Sequence, residues 1–152
     1  MPEAICNTSP LIVLERIGSL PLLEALYGHV LITPEIEKEF GQPLPGYVVV
    51  RAVKNSGCSR ILETILDPGE ASAIALALET TEESLLILDD LKARKIARKS
   101  GIRLTGTLGV LLAAKSRKIL PSVAPFLERL KSQGFWISEE LQSEVLRLAE
   151  EL

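Results

Sequence analysis

The chain alternates short apolar runs of strand length with longer segments that carry helix signals. Three of the short runs are Ala4–Cys6, Val30–Ile32 and Leu85–Leu88, and a longer helical segment follows each. Consecutive parallel strands need a crossover between them, which is usually a helix. The alternation therefore favours an α/β fold in which a mainly parallel sheet lies between two layers of helices.

Further segments of the chain carry strand and helix signals, some stronger than others. A strand is expected at Ile102–Thr105, a short strand at Phe135–Ile137, and a strand or short extended arm at Tyr47–Val53. Helical segments are expected over Pro10 to about Tyr27 with breaks near Gly18 and Pro21, from Pro34 after a Thr33 N-cap, from Asp67 to about Glu79, from Asp90 to Lys99, over Leu108–Lys115, over Pro121–Lys131 and over Ser138–Leu152.

Length and composition limit the class of protein. With 152 residues and 47% hydrophobic residues, the chain fits one domain over 1–152 with a sizeable core. The first residues lack the pattern of a secretory signal, and no apolar run approaches the roughly 20 residues of a membrane span. We expect a cytoplasmic protein without a membrane partner. Cys6 and Cys58 are expected to be ordinary thiols, and a net charge of −3 gives no global attraction to polyanions.

The most informative site signal is the Leu85–Leu88 run, which ends in the adjacent carboxylates Asp89 and Asp90. Ionised carboxylates are costly to bury unless they are paired or metal-bound, so this pair should lie at the mouth of the strand. In open α/β sheets that edge binds ligands. Other oxygen donors that would have to join them there are Asn7, Glu39 and Glu70.

Each acid also has a purely structural interpretation. Asp67 as an N-cap with Glu70 three residues later would form a capping box that needs no metal. Asp90 is equally suited to be the N-cap of its helix. Glu39, near a helix C-terminus, interacts unfavourably with the helix dipole, at a cost of at most about 1 kcal/mol. Because this cost is small, Glu39 could equally be a solvated acid on the surface.

Hydroxyl and basic residues near these acids are the next candidates. Thr105-Gly106-Thr107 places hydroxyls and backbone donors at a strand-to-helix junction, where they suit a phosphate or a metal-bound water, although Thr107 also suits a plain N-cap. Thr8 and Ser9 either cap the first helix or support the metal ligands. A basic stripe beside Asp90 suits RNA phosphates or a solvated helix face, and it consists of Lys92, Arg94, Lys95, Arg98 and Lys99. Lys115, Arg117 and Lys118 form a weaker second patch.

Several motifs, in order, resemble a known family. They are Asn7-Thr8-Ser9-Pro10-Leu11-Ile12, Thr33-Pro34-Glu35-Ile36-Glu37-Lys38-Glu39-Phe40, Gly69-Glu70-Ala71-Ser72-Ala73-Ile74-Ala75-Leu76-Ala77, Leu88-Asp89-Asp90 and Thr105-Gly106-Thr107-Leu108-Gly109-Val110-Leu111. Together they resemble a PIN-like domain, in particular the prokaryotic branch catalogued beside the VapC-type toxins. The resemblance extends through Gly134-Phe135-Trp136-Ile137-Ser138 and implies a three-layer α/β/α sandwich.

The resemblance implies a metal-dependent ribonuclease. Acids from separate segments would bind Mg²⁺ or Mn²⁺ and hydrolyse RNA with a metal-activated water, leaving a 5′-phosphate and a 3′-hydroxyl. The four family acids fall on Asn7, Glu39, Glu70 and Asp90. Asn7 departs from the pattern because an amide adds no charge, which predicts a weaker site, a substitute ligand in Asp89, or loss of turnover.

The resemblance also implies partners. A small antitoxin protein is expected, and apolar helical surface near Leu20–Leu26 or Leu141–Leu148 would suit that contact or a homodimer, unless these helices simply pack the core. A catalytically impaired RNA- or protein-binding module is the alternative function. A phosphoryl receiver is disfavoured because no convincing lysine follows the last strand, and a haloacid-type phosphatase because no Asp-x-Asp follows the first.

Overall fold

The structure, a computed structural model, describes residues 2–80 and 83–152. In this part of the chain the strands are β1 (Glu3–Cys6), β2 (Val30–Ile32), β3 (Val48–Val50), β4 (Ser84–Ile87) and β5 (Leu104–Thr105). The helices are α1 (Thr8–Arg16), α2 (Pro21–Tyr27), α3 (Pro34–Phe40), α4 (Ser56–Leu62), α5 (Pro68–Glu79), α6 (Leu91–Lys99), α7 (Thr107–Ser116), α8 (Ala124–Ser132) and α9 (Glu139–Leu148).

The five strands form one parallel sheet in the order β3-β2-β1-β4-β5. The central strand, β1, pairs with β4 in a register that places Cys6 opposite Ile87. On its other side β1 pairs with β2, with Ile5 opposite Leu31. The predicted mainly parallel sheet between helical layers is confirmed.

Burial explains why the central strands read as continuous apolar runs. Ala4, Ile5, Leu31 and Ile87 are fully buried, as expected for strands covered on both faces. Helix α5 packs against β1 and β4 and also contacts α3 and α4. Helix α7 packs against β5 and also contacts α1, α2 and α9. Helices on both sides thus hold the sheet's carboxyl edge in place.

Local start signals located several helices correctly. The Thr33 hydroxyl accepts a hydrogen bond from the backbone N–H of Ile36, and Pro34 occupies the first turn of α3. Asp67 and Ser138 cap α5 and α9 in the same way. The expected break near Gly18 and Pro21 separates α1 from α2.

Two expectations about elements are wrong or incomplete. Phe135–Ile137 is not a strand: Gly134 ends α8 with φ +86°, Ser138 caps α9, and the residues between them form a connection that pairs with no strand of the described chain. Helix α4 was not expected. Its start is marked by Asn55, whose side chain accepts a hydrogen bond from the N–H of Cys58 at 3.2 Å.

The suggested contact surface near Leu20–Leu26 is not an apolar surface. Leu20, Leu22, Leu23 and Leu26 are buried in the core, so this segment packs the fold instead. In the described part of the chain, no helix combines the length and the apolar character that crossing a membrane requires.

Candidate active site

The centre of the sheet's carboxyl edge lies where β1 and β4 meet, because the strand order reverses there. Such a switch point opens a crevice that binds ligands in α/β sheets. Asn7 follows β1 directly, and Asp89 and Asp90 follow β4 one residue after its end. The backbone N–H of Asn7 donates to the carbonyl of Ile87 at 3.0 Å. The structure therefore brings the first and last predicted site residues to one place.

Asn7 has an unusual side chain at this position. Only 3% of the residue is exposed, and its Oδ1 has no hydrogen-bond partner within the described chain. Asn7 is the N-cap residue of α1, yet its side chain makes no capping hydrogen bond. An unsatisfied buried carbonyl costs about 1–3 kcal/mol and is rare enough to call for an explanation. Asn7 thus holds an uncommitted oxygen at the switch point.

Glu39 is joined to the end of β1 by the neighbour of Asn7. The buried Thr8 hydroxyl donates a short hydrogen bond to Oε1 of Glu39, which lies near the C-terminal end of α3. Gly69 in the first turn of α5 leaves room for this pair. A Cβ at that position would lie 2.7 Å from Oε1 of Glu39 and 3.2 Å from Oγ1 of Thr8.

Glu70 forms the capping box that the sequence suggested. Its N–H donates to Asp67 at 2.8 Å, and its Oε1 accepts a long, 3.4 Å hydrogen bond from the N–H of Asp67. Burial, and then the negative charges of Asp67 and Asp90, raise the pKa of Glu70 to about 7. The negative charge of Asp90 thus opposes ionisation of Glu70 across the starts of α6 and α5.

Asp90 is the N-cap of α6, as its structural interpretation predicted. Its Oδ2 accepts a hydrogen bond from the N–H of Ala93 at 2.9 Å. Its Oδ1 accepts no hydrogen bond from the described residues, and the side chain lies on an exposed residue. Capping and ligand binding are therefore compatible for Asp90, because each uses a different oxygen.

Asp89, by contrast, uses both oxygens within the fold. The N–H of Thr107 donates to Oδ1 at 2.8 Å, and the Thr107 hydroxyl donates to Oδ2 at 2.5 Å. The N-cap of α7 is therefore Gly106 and not Thr107, so the N-cap interpretation of Thr107 is wrong; Asp89 supplies the acceptor for the first turn. Gly106 fits closely, since a Cβ there would lie 2.5 Å from Oδ1 of Asp89.

The basic stripe divides into two kinds of residue. Arg94 is half-buried, and its Nη1 donates to the carbonyls of Leu88 at 2.6 Å and Thr105 at 3.0 Å, so it joins the ends of β4 and β5. The others are exposed and form no salt bridge with a described residue; they are Lys92, Lys95, Arg98 and Lys99.

The remaining hydroxyl candidates are Ser9 and Thr105. Ser9 is exposed in the first turn of α1. Thr105 is the last residue of β5. Its hydroxyl lies so close to Gly109 that a Cβ atom on residue 109 would clash with it.

The candidate ligands have the right chemistry for a hard divalent ion, but their side chains lie too far apart to bind it together. Asn7, Glu39, Glu70 and Asp90 offer only oxygen atoms, which Mg²⁺ and Mn²⁺ prefer. The Oδ1 atom of Asn7, which accepts no hydrogen bond from the described residues, is available to such an ion. As placed, however, no three Asp, Glu, His or Cys side chains of the described residues are close enough to hold an ion together. The carboxylates would have to draw inward on binding.

Sequence reasoning missed two features of this edge. Lys38 lies beside Glu39 in a cleft that Pro68 and Gly69 also line. Trp136 and Leu91 are more than 80% exposed and line a groove next to Asp89. The signal for the groove is the only tryptophan of the chain, which the sequence pattern places in a predicted strand.

The comparison with known families agrees with this architecture. Residues 3–151 match the model of a family described as a PIN domain. The chain belongs to the PIN domain family, which has a nuclease-type α/β/α fold and generally uses divalent metals. No curated protein and no solved structure matches the chain.

Proposed function

We propose that this chain is a divalent-metal-dependent endoribonuclease of the toxin–antitoxin type that hydrolyses RNA phosphodiesters in the cytoplasm. Its family supports the nuclease class. The observation that supports this particular edge is uncompensated charge: Glu39, Glu70 and Asp90 form no salt bridge with any described residue. Neighbouring carboxylates without a cation repel one another and favour binding of a divalent ion.

Four residues would hold Mg²⁺ or Mn²⁺: Asn7, Glu39, Glu70 and Asp90. The bound ion would supply Lewis-acid stabilisation of the leaving oxygen and a water of lowered pKa. Thr8 would fix Glu39 through its hydroxyl, and the caps of α5 and α6 would fix one oxygen each of Glu70 and Asp90. We leave Asp89 out of the ligand set because Thr107 already occupies both of its oxygens.

The exposed members of the basic stripe would hold the RNA. Lys92, Lys95, Arg98 and Lys99 lie on the helix that starts at the proposed ligand Asp90. Contacts of this kind position a nucleic acid through its phosphates without reading its sequence. Arg94 would act differently, by holding the carbonyls that end β4 and β5. Ser9 and Thr107 would support the site at the starts of α1 and α7, and Thr105 at the end of β5.

The partners we propose are a small antitoxin and a second copy of the chain. Of the two apolar helical surfaces suggested by the sequence, only that of α9 leaves large apolar side chains exposed, namely Leu141 and Leu148. Apolar side chains exposed on one helix suit a contact with another protein.

A binding module without turnover is the second candidate, and Asn7 favours it. The amide at the first acidic position leaves three carboxylates, so the site attracts a cation less strongly than four would. The fold, the caps and the basic helix do not depend on that charge and would still serve binding.

Cleavage of total RNA tests the proposed function. The wild-type protein with Mn²⁺ or Mg²⁺ should cleave RNA, and a chelator should abolish cleavage. Asp90→Asn should lower the rate at least 100-fold while keeping the fold, because asparagine also caps helices well. Glu63→Gln, which changes an exposed acid at the end of α4, is the matched control.

The outcomes separate the two candidates. If Asp90→Asn cleaves as fast as the wild type, the proposed site is wrong. A wild-type protein that binds RNA but never cleaves it, with either ion, would overturn the enzyme in favour of the binding module.

A further inference from the structure

A groove of about 540 Å³ opens beside the proposed active site. We call it the Trp136 groove. Its apolar walls include Leu91 on α6, Leu108 on α7, and Trp136 and Leu141 near the start of α9, while Arg94 and Thr105 contribute polar groups. Its volume lies within the range of small-ligand sites, about 300–1,000 Å³.

The walls of the groove expose side chains that proteins normally cover. Leu91 is 82% exposed and Trp136 is 81% exposed, although each belongs to a residue type that gains most from burial. Adjacent exposed apolar side chains of this size mark interaction sites. Trp136 in addition offers a flat aromatic face.

Arg94, which lines the groove, carries further hydrogen-bond donors. Arg94 uses its Nη1 for the carbonyls of Leu88 and Thr105. Its Nε and Nη2 donate to no acceptor within the described part of the chain. Donors beside an aromatic face suit a flat ligand with acceptor atoms on its edge, as a nucleobase has.

Charge around the groove indicates what the rest of the ligand carries. Lys95 and Arg98 lie four and seven residues after Leu91, so they share its face of α6, and both are exposed. This basic edge complements a phosphate backbone. Asp90, the residue immediately before Leu91, places the proposed cleavage site at one end of the same path.

We propose that the Trp136 groove binds one unpaired nucleobase of an RNA substrate, which stacks on Trp136 while the neighbouring phosphates lie along the basic face of α6 toward the proposed metal site. This inference rests on the proposed function. A base within a duplex is stacked and paired on its own strand and does not reach such a groove, so RNA bound through Trp136 should be single-stranded at this position.

Fluorescence tests the groove without any cleavage. Trp136 is the only tryptophan, so the intrinsic emission of the full chain reports on this position alone. A short single-stranded RNA of mixed sequence, added in the presence of chelator, should quench the emission with saturation. The same RNA in a duplex should quench it much less at equal nucleotide concentration.

Variants at the same position separate stacking from general apolar contact. Fluorescence anisotropy of an end-labelled single strand should show affinity about tenfold lower for Trp136→Leu and for Trp136→Ala, but a smaller loss for Trp136→Phe. Ile61→Ala removes an exposed apolar side chain on α4 and should bind as the wild type does.

Several results would overturn the proposal. They are unchanged emission when anisotropy shows the RNA bound, no binding of the single strand, equal quenching by the duplex, or full affinity of Trp136→Leu. The last result would point to an apolar protein segment as the occupant. Quenching without any metal-dependent cleavage would refute the proposed ribonuclease activity but not the groove. Cleavage without quenching would refute RNA binding in the groove but not the ribonuclease activity.

Discussion

Asn7 determines how strongly the proposed site attracts a cation. The residue contributes a buried oxygen without a hydrogen-bond partner in the described chain, but it contributes no charge. Around it, one oxygen of Glu39 accepts a hydrogen bond from Thr8, and one oxygen of Asp90 caps α6. The negative charge of the edge therefore comes from Glu39, Glu70 and Asp90, and a carboxylate at position 7 would add a fourth charge.

Asn7→Asp should raise metal affinity and lower stability in the absence of metal. An added charge near the ion strengthens Mn²⁺ binding by roughly tenfold or more, whereas the same carboxylate buried without a cation destabilises the fold. Calorimetric titration gives the affinity, and thermal unfolding with and without Mn²⁺ gives the linked stability. Asn55→Asp adds the same charge at the cap of α4 and should change neither result. Equal Mn²⁺ affinities for Asn7→Asp and wild type would contradict the role of this position.

Gly69→Ala should weaken metal binding without weakening the fold. The new Cβ would meet Oε1 of Glu39 at 2.7 Å, and the flexible carboxylate can move away more easily than the backbone. Alanine also stabilises helices relative to glycine, by at most about 1 kcal/mol. We expect unchanged or slightly higher stability in urea unfolding and several-fold weaker Mn²⁺ binding. Gly57→Ala at the same position of α4 is the control, and equal Mn²⁺ affinity of both variants would show that Glu39 does not contact the ion.

At the scale of elements, the two adjacent acids after β4 start two different helices. Asp90 caps α6, which follows it directly, whereas Asp89 accepts both hydrogen bonds from the start of α7. The end of β4 thereby orients both helices, and Arg94 returns from α6 to the carbonyls of Leu88 and Thr105.

Exchanging the two acids for asparagine should separate stability from metal binding. Asp89→Asn keeps an acceptor for the N–H of Thr107 but not for its hydroxyl, so the free energy of unfolding should fall by about 1–2 kcal/mol. Its Mn²⁺ affinity should stay near that of the wild type. Asp90→Asn should do the opposite, with stability within about 0.5 kcal/mol and a large loss of affinity. Urea unfolding and Mn²⁺ titration of both variants check this, and a loss of affinity in Asp89→Asn alone would make Asp89 the ligand.

Local hydrogen bonds were predictable from the sequence and distant ones were not. The caps at Thr33, Asp67 and Asp90 join residues three positions apart, so residue type and spacing were enough. The bond from Thr8 to Glu39 spans 31 residues, and that from Thr107 to Asp89 spans 18. Such pairs depend on which strand lies beside which, and no local pattern records the strand order.

Apolar segments show the same limit. The aromatic and β-branched residues of Phe135–Ile137 are typical of a strand, but Gly134 and Ser138 make the segment a connection between α8 and α9. The alternation of strands and helices was enough to predict the parallel sheet between helical layers, whereas the convergence of separate acidic segments at one edge was implied only by the family resemblance.

At the scale of the whole molecule, one buried polar contact joins the two helices that carry Glu39 and Glu70. The Ser72 hydroxyl donates to the carbonyl of Gly69 at 2.9 Å, and Thr33 and Ser72 share a hydrogen bond of 2.6 Å. Both residues are fully buried. This contact fixes α3 against α5 independently of any ion.

A second set of polar contacts, away from the edge, joins the end of the described chain to two earlier helices. The Glu151 carboxylate accepts hydrogen bonds from the N–H groups of Val123 at 2.7 Å and Ala124 at 3.1 Å, at the start of α8. It also pairs with Lys115 of α7 at 3.0 Å, and its side chain is only 13% exposed. This carboxylate links α7, α8 and the segment after α9.

Glu151→Gln should destabilise the protein at neutral pH and not at low pH. Burial opposes ionisation of Glu151, but the hydrogen bonds from Val123, Lys115 and Ala124 outweigh it, so its pKa lies below the ordinary value of 4.5. A carboxyl group whose pKa is lower in the folded state contributes stability above the ordinary pKa and loses it as the pH falls through the folded value. The wild type should therefore be more stable than Glu151→Gln by about 1–2 kcal/mol from pH 6 to 8, because hydrogen bonds to a charged group are stronger. The difference should shrink below about pH 4.5.

Urea unfolding across this pH range measures the difference in stability, and Glu150→Gln, which changes the exposed neighbouring residue, is the control. Since the acids of the proposed active site are common to all three proteins, they cancel in the comparison. A difference that stays constant down to low pH would show that packing of the side chain, and not its charge, holds this contact.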